Sequence, residues 1–415
     1  MSFLEQAIEI KKELIRSRRQ LHQYPELSFK EFETTAFLVK KLQAIKGMIV
    51  LTGVERVGLP TGVIGILSSG NGPTIAVRAD IDALPITEEN HTNYTSKNNG
   101  VMHACGHDAH TSILLGTATL LAEKMRKKEL SGTIKFIFQP AEEDIDVSGL
   151  TGSPHLIQAG VLNDVDVALA LHVNPEQPVG EVLVNSGYSM ASVDTFKATI
   201  QASGGHAAYP HLATDPIWML GNLLQAIQGI VARKISPLEP SVLSVTHVET
   251  TPSFNVIPNE VTLQGTIRSY NPDIRIKLQE ELRNTCHLIS VLGGEYKLEI
   301  NQGEPVLYNH PVVIYWLTET ISDLLPNFKI NIGPYGLGGE DFSHMLEKVP
   351  GAMFFLGAKV DERENGGLHM PQFDVNEEAL VYGAAIMAET VTRYLNGNYT
   401  LSLEKEEKGA DMHGT

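Results

Sequence analysis

Residues 132–143, GTIKFIFQPAEE, decide the fold of this chain. The run of β-branched and aromatic residues that ends at a proline predicts a buried strand. Similar runs follow at 73–80, PTIAVRAD, and at 165–173, VDVALALHV, with a helical pattern after His110. Helices and strands that alternate in this way predict an α/β domain whose mixed, largely parallel sheet carries helices on both faces. A first amphipathic helix is expected from about Glu5 to His22.

Polar residues stand where these apolar strands end. They are Asp80, Asp82, Gln139 to Glu143, and His172. Open α/β sheets place their functional sites at the carboxyl ends of their strands, so the site is expected there.

A different pattern begins after the first half of the chain. This part of the chain has a predicted β-α-β-β-α-β order. The predicted strands are DTFKATIQA, SVLSVTHVET, EVTLQGTIRSY and YKLEIN, and the predicted helices run from Thr214 to about Val231 and from Pro272 to about Leu292. That order is typical of a ferredoxin-like fold. The predicted catalytic domain has two parts, 1–185 and 302–395. The predicted inserted domain is 186–301, and a flexible tail is predicted at 396–415.

Composition excludes several classes of protein. With 415 residues, two domains are expected, and 42% hydrophobic with 20% charged residues is typical of a soluble globular protein. A net charge of -17 argues against nucleic-acid binding. Two cysteines, no signal-peptide pattern and no apolar run of membrane-spanning length predict a cytoplasmic protein without a membrane partner.

The segment HACGHDAH, residues 103–110, allows three interpretations. Cys105 and His107 are too close in sequence for a structural zinc finger. Cys105 could be a catalytic thiol with a histidine base, or a buried inert cysteine, or a metal ligand. The choice depends on the other candidate ligands.

Glu142 and Glu143 are adjacent carboxylates that follow a buried strand. They could be two solvated loop residues, but neighbouring carboxylates in a buried place repel unless a cation or a proton compensates them. Their side chains can also diverge, so that one holds a metal and the other moves a proton.

Two further histidines complete a set of candidate ligands. His172 could simply be a hydrogen-bonded histidine at a strand end, and His369 could be a surface loop residue. Together, Cys105, His107, Glu143, His172 and His369 form a mixed sulfur, nitrogen and oxygen set that suits zinc, manganese, cobalt or nickel.

Nine motifs in order resemble the metallo-amidohydrolase family of aminoacylases and carboxypeptidase G. The similarity runs from about Arg19 to Ala388, and the motifs are RADIDALPI, HACGHDAH, FQPAEE, LHV, GGHAAYPH, NVIPNEV, GTIRSY, GGEDFS and LHMPQFD. The chain is most similar to the branch of hippurate hydrolases, plant indole-acetyl-amino-acid hydrolases and bacterial N-acetyl-amino-acid deacetylases.

The resemblance implies a site for two divalent metal ions. Cys105 would bridge the ions, in a position that other branches fill with aspartate. The remaining ligands would be His107, Glu143, His172 and His369. Asp82 would support the site from behind the ligands, while Asp80 stands where other branches have a ligand histidine, a difference that His107 would offset.

The resemblance also implies the reaction. Glu142 would be the general base in hydrolysis of an N-acyl-L-amino acid to a carboxylic acid and a free amino acid. His206 would stabilise the oxyanion from the other subunit of a homodimer, which makes the insert both a dimerisation domain and a lid. Asn255 and Arg268 would contact the substrate.

Two alternatives remain open, and one segment departs from the family pattern. The site could serve a metallo-dipeptidase or carboxypeptidase, or the chain could be a metal-dependent binding protein without activity. The segment after Glu143, DIDVSGLTGSPHLIQAG at 144–160, is longer and more acidic than in the branch, which puts substrate range and access in doubt rather than the ligands.

Overall fold

The computed structural model describes residues 1–251, 253–360 and 366–401. The helices are α1 Phe3–Glu9, α2 Lys11–Gln23, α3 Phe32–Gln43, α4 Val54–Val57, α5 His107–Arg126, α6 Gly152–Gln158, α7 Pro216–Lys234, α8 Pro272–Cys286, α9 Leu288–Val291, α10 Pro311–Leu324, α11 Phe342–Leu346 and α12 Glu378–Leu395. The strands are β1 Ile49–Leu51, β2 Val63–Ser69, β3 Thr74–Asp80, β4 Gly132–Gln139, β5 Val167–Asn174, β6 Glu181–Val184, β7 Gly187–Met190, β8 Ser192–Gln201, β9 Gly205–His206, β10 Ser241–Thr250, β11 Val256–Ile257, β12 Glu260–Ser269, β13 Glu295–Gln302, β14 Leu307–Asn309, β15 Lys329–Ile332 and β16 Gly351–Gly357.

The larger sheet has the strand order β1-β2-β4-β3-β5-β16-β6-β15. Its central strands β4, β3, β5 and β16 run parallel, and β15 runs parallel to β6. The strands β1 and β2, and the contact of β16 with β6, are antiparallel. The predicted mixed, largely parallel sheet is therefore confirmed.

Both faces of this sheet are covered, and its central strands β3, β5 and β16 are buried at every position. On β5, Val167, Leu169 and Leu171 pack into the core beneath α1, α2, α5, α10 and α12. The alternate residues Ala168 and Ala170 pack on the opposite face, against the α6 and α11 side. The two-residue period of a strand thus divides one sequence run between two cores.

The smaller sheet has the order β10-β12-β8-β13, with all neighbours antiparallel. Helices α7 and α8 cover one face and form a core of their own with it. The predicted ferredoxin-like unit is confirmed, while the domain boundaries themselves stay a prediction. A ribbon of β7 and β14 carries the chain into and out of this unit.

Two predicted helices are interrupted. Ile10 has φ -92° and ψ 5°, so the first helix is divided into α1, which packs on α12, and α2, which packs on α5. The helix predicted to end near Leu292 is divided at His287 into α8 and α9. Each piece buries apolar side chains of its own, such as Leu278 and Leu282 on α8 and Ile289 on α9. Of the predicted tail at 396–415, residues 402–415 lie outside the described residues.

Candidate metal centre and active site

The segment HACGHDAH enters the site through a glycine turn. Gly106 has φ 90°, which favours glycine, and a Cβ at this position would lie 2.3 Å from Cγ2 of Val173. Helix α5 begins directly afterwards, at His107. The glycine therefore allows Cys105 and His107 to approach β5, whose His172 faces the same place.

Two residues other than glycine adopt left-handed backbone conformations beside the site. Ala141, just before the glutamate pair, has φ 54°, and His369 has φ 61°. Ala141 N donates to Oε1 of Glu31 at 2.9 Å, and His369 N donates to the carbonyl of Ala104 at 2.8 Å. Such conformations cost about 1–3 kcal/mol and cluster at functional sites.

The structure brings all five predicted ligands together. Sγ of Cys105 is 3.4 Å from Nε2 of His172, and Oε1 of Glu143 is 3.2 Å from Nε2 of His369. Nε2 of His107 lies 3.8 Å from the same glutamate oxygen. Ligand atoms around one tetrahedral zinc ion are about 3.3–3.7 Å apart, given bonds of about 2.0–2.3 Å.

These donors form two neighbouring groups that have Cys105 in common. One contains Cys105, His107 and His172, and the other contains Cys105, Glu143 and His369, with all donor atoms of a group within 4.8 Å of one another. Nε2 of His107 is buried without a hydrogen-bond partner among the described residues. The donor set therefore fits divalent cations.

The electrostatics of the site also favour a cation. Burial and the carboxylates of Glu143 and Glu142 raise the pKa of the Cys105 thiol. Burial opposes the charge on His107, but Asp80 and Asp82 raise the pKa of that imidazole to about 10. Protons are therefore held tightly in this cluster of acids, and a bound cation would replace them.

Asp82 holds two of these donors in place. Nδ1 of His107 lies 3.0 Å from the backbone oxygen of Asp82 and 3.3 Å from its Oδ1. Oδ2 of Asp82 accepts hydrogen bonds from Ser28 Oγ at 2.7 Å and from Glu143 N at 3.0 Å. Because Nδ1 is engaged in this way, Nε2 of His107 faces the cluster.

A buried arginine and three acids stand behind the glutamate pair. Arg78 contacts Asp80 at 2.8 Å, Glu340 at 3.1 Å and Asp341 at 2.8 Å. Burial and the neighbouring Glu340 and Glu143 raise the pKa of Glu142 well above its usual range. The acidic surroundings therefore increase the affinity of the Glu142 carboxylate for a proton.

Sequence reasoning gave no role to Arg78, His110, Glu340 or Asp341. Nδ1 of His110 lies 2.6 Å from Oδ1 of Asp80, and its Nε2 accepts from Val173 N at 2.9 Å. Two signals were available in the sequence: an arginine inside an apolar strand, and a second pair of adjacent acids in GGEDFS.

A cavity of about 550 Å³ opens onto the donor cluster. Its lining includes Cys105, Glu142, Glu143, His172 and His369, together with Arg268 from β12. The aromatic wall is Tyr335, which stacks on Phe355 with ring centroids 3.8 Å apart. The cavity therefore lies between the two sheets.

The other two predicted substrate contacts lie elsewhere in this subunit. His206 and Asn255 are exposed and do not line the cavity. They are neighbours, because β9 pairs with β11 and Ala207 N donates to the Asn255 carbonyl at 3.0 Å. Their predicted roles therefore require a second subunit or a movement of the smaller unit.

The acidic segment after Glu143 folds back on itself. Oδ1 of Asp146 accepts from Ser148 N at 2.7 Å, and its Oδ2 lies 2.9 Å from Nε2 of His155. Ser153 N donates to Oδ2 of Asp341 at 3.0 Å. The segment borders the acids behind Glu142 but does not line the cavity.

Comparison with known proteins gives a consistent picture. The model of peptidase family M20/M25/M40 matches residues 76–393. Thermostable carboxypeptidase 1 of Saccharolobus solfataricus is 38% identical over 396 residues, covering 94% of this chain and 97% of that protein. N-acetyl-L-cysteine deacetylase of Bacillus subtilis is 38% identical over 394 residues, covering 94% of this chain and 90% of that protein.

A solved structure agrees as well. The crystal structure of a dinuclear metal-binding peptidase of the M20 family from Bacillus subtilis has a TM-score of 0.80 and 34% identity, and the alignment covers 94% of this chain and 99% of that one. In the described part of this chain, no helix has both the length and the apolar composition of a membrane span.

Proposed function

The chain belongs to peptidase family M20/M25/M40 and is an amide-bond hydrolase, and on that premise we propose that its substrates are N-acyl-L-amino acids. The products are a carboxylic acid and a free amino acid. One observation carries the proposal: the donor cluster, Glu142 and Arg268 line the same cavity. An acyl-amino acid has an amide carbonyl and a carboxylate to match these two groups.

We propose that two divalent ions bind in the donor cluster, with Cys105 shared between them. His107 and His172 complete one group, and Glu143 and His369 complete the other. Manganese, zinc, cobalt and nickel all suit this mixture of ligands. Bound ions would supply positive charge to the scissile carbonyl and acidify the attacking water.

The protein's own residues then orient the substrate and move the proton. Glu142, as the ionised carboxylate, accepts a proton from the attacking water and delivers it to the leaving amine. Its place in the cavity beside Cys105 and Glu143 supports this role. Arg268 binds the carboxylate as a fork. Asp82 keeps His107 in the orientation that faces the cluster. Cys105 acts as a ligand and not as a nucleophile.

His206 is proposed to reach the substrate carbonyl of the other subunit in a homodimer. Its exposure and its absence from the cavity of its own chain support this arrangement. Asn255, beside it, would enter the same site. A cytoplasmic location is supported by Cys105 and Cys286, which are both free thiols.

The similarity to a carboxypeptidase favours one alternative, hydrolysis of peptides by the same site. Purified protein loaded separately with manganese, zinc, cobalt or nickel tests both functions, with N-acetyl-amino acids, N-benzoyl-amino acids and dipeptides as substrates. A higher kcat/KM for the acyl-amino acids supports the proposal. Faster cleavage of dipeptides would favour the peptidase, and absence of turnover with every metal would favour a binding protein.

A further inference from the structure

Thr266 and Arg268 lie two residues apart on β12, so their side chains leave the same face of the smaller sheet. Ile267, which lies between them, and Leu263, which precedes them, pack into the core beneath α7 and α8. Thr266 and Arg268 therefore project from the face without helices, and Arg268 lines the cavity.

The hydroxyl of Thr266 connects the guanidinium to the backbone of β8. Oγ1 of Thr266 donates to the carbonyl of Asp194 at 3.0 Å, and Nε of Arg268 donates to the same Oγ1 at 2.9 Å. A hydroxyl has one proton and spare acceptor capacity. Because the hydroxyl proton of Thr266 is donated to the carbonyl of Asp194, the oxygen of Thr266 accepts the hydrogen bond from Nε of Arg268.

The far end of this connection is rigid. Asp194 is fully buried, and its carboxylate accepts from Nε of Arg275 at 3.0 and 3.1 Å and from Nε2 of Gln279 at 2.8 Å. Both donors belong to α8. The residue whose carbonyl accepts the hydrogen bond from Thr266, Asp194 on β8, is thus held in place by α8.

The bond to Thr266 leaves one edge of the guanidinium for a ligand. With Nε engaged, the Nη1 and Nη2 edge is the one that can bind both oxygens of a carboxylate. Within residues 1–251, 253–360 and 366–401, no ion pair occupies Arg268. A Cβ on Gly339 would lie 3.6 Å from Nη1, so this glycine borders the same edge.

We propose that Thr266 is a positioning residue that aims the Nη edge of Arg268 into the cavity and thereby sets the preference for substrates with a free α-carboxylate. The inference rests on the proposed function. It gives Thr266 a part in specificity, with no direct contact to the substrate.

Kinetics on two matched substrates test it. N-acetyl-L-methionine and N-acetyl-L-methioninamide differ only in the carboxylate, and the ratio of their kcat/KM values measures the preference. Thr266→Val should lower this ratio about tenfold, chiefly through KM on the acid, as expected for one hydrogen bond to a charged group. Thr266→Ser, which retains the hydroxyl, should preserve most of the preference.

The matched control is Thr262→Val, on the same face of the same strand, where the hydroxyl contacts Thr199 at 3.4 Å and not Arg268. If Thr266→Val leaves the ratio unchanged, or if Thr262→Val lowers it equally, Thr266 does not position Arg268.

Calorimetric binding in a Glu142→Gln background separates this inference from the reaction itself. The role of Thr266 is supported if the acid binds more tightly than the amide and if this difference is lost when Thr266→Val is added. If the native enzyme nevertheless hydrolyses neither compound, only the proposed function fails. Equal affinity for acid and amide with Thr266 intact overturns the inference.

Discussion

Sγ of Cys105 lies 3.4 Å from Nε2 of His172, and Cys105 belongs to two of the three-donor groups of the site. A residue common to both groups affects both when it is changed. A nucleophilic thiol would have no such effect on metal content, so this relationship distinguishes the two roles of Cys105.

Cys105→Ser should reduce metal content and activity together, because a hydroxyl is a weaker ligand than a thiolate. Metal analysis of the dialysed variant, beside activity at saturating metal, provides the measurement. Cys286→Ser is the control, since that thiol is buried in the core of the smaller unit. An acyl group found on Cys105 by mass spectrometry, with metal content unchanged, would contradict the ligand role.

Glu142→Gln should keep its metal and lose turnover by about a hundredfold or more, because an amide cannot carry the proton. Asp144→Asn, an exposed acid two residues further on, removes the same charge and should retain activity. Stopped-flow or steady-state kcat with metal content measured on the same sample checks this. A near-normal kcat for Glu142→Gln would exclude Glu142 as the base.

Mixing His206→Ala with Glu142→Gln protein should restore activity if His206 acts on the other subunit. In the mixed dimer, one site carries both defects and the other carries neither. Activity per mixed dimer should approach about half that of the native dimer, measured after subunit exchange is verified by native mass spectrometry. If exchange is complete and the mixture stays inactive, His206 does not act in this way.

Arg78→Met should destabilise the protein by about 3–5 kcal/mol, because it leaves buried carboxylates without their cation. Arg78 is 2% exposed and contacts Asp80, Glu340 and Asp341. Urea unfolding monitored by circular dichroism gives the free energy of unfolding. The control is Arg126→Met, whose exposed side chain contacts Glu123 at 3.8 Å and should cost less than about 1 kcal/mol.

The strands and the ligand cluster could be predicted because each has a local sequence signal. The run 132–139 indicates a buried strand by itself, whereas the crowded segment 103–110 indicates a metal site only together with Glu143, His172 and His369. Strand ends of a parallel sheet meet at one edge, which is why Glu143 and His172 come together.

Other features depend on contacts between residues far apart in sequence, so the local sequence does not predict them. The contact of Arg78 with Glu340 joins residues far apart in sequence, and only the folded sheet brings them together. The break at Ile10 depends on which helices α1 and α2 pack against. The position of His206 outside the cavity depends on how the smaller unit sits over the larger sheet.

The ribbon of β7 and β14 has a consequence for engineering. Met190 and Leu307 are paired neighbours on it, so the chain leaves the larger sheet and returns to it at one place, with α-carbons about 5 Å apart. A short turn could join these two residues without redirecting either strand. The four-stranded unit is thus suited to transplantation: it can be cut out, or exchanged for another domain, while the predicted metal ligands keep their own chain path.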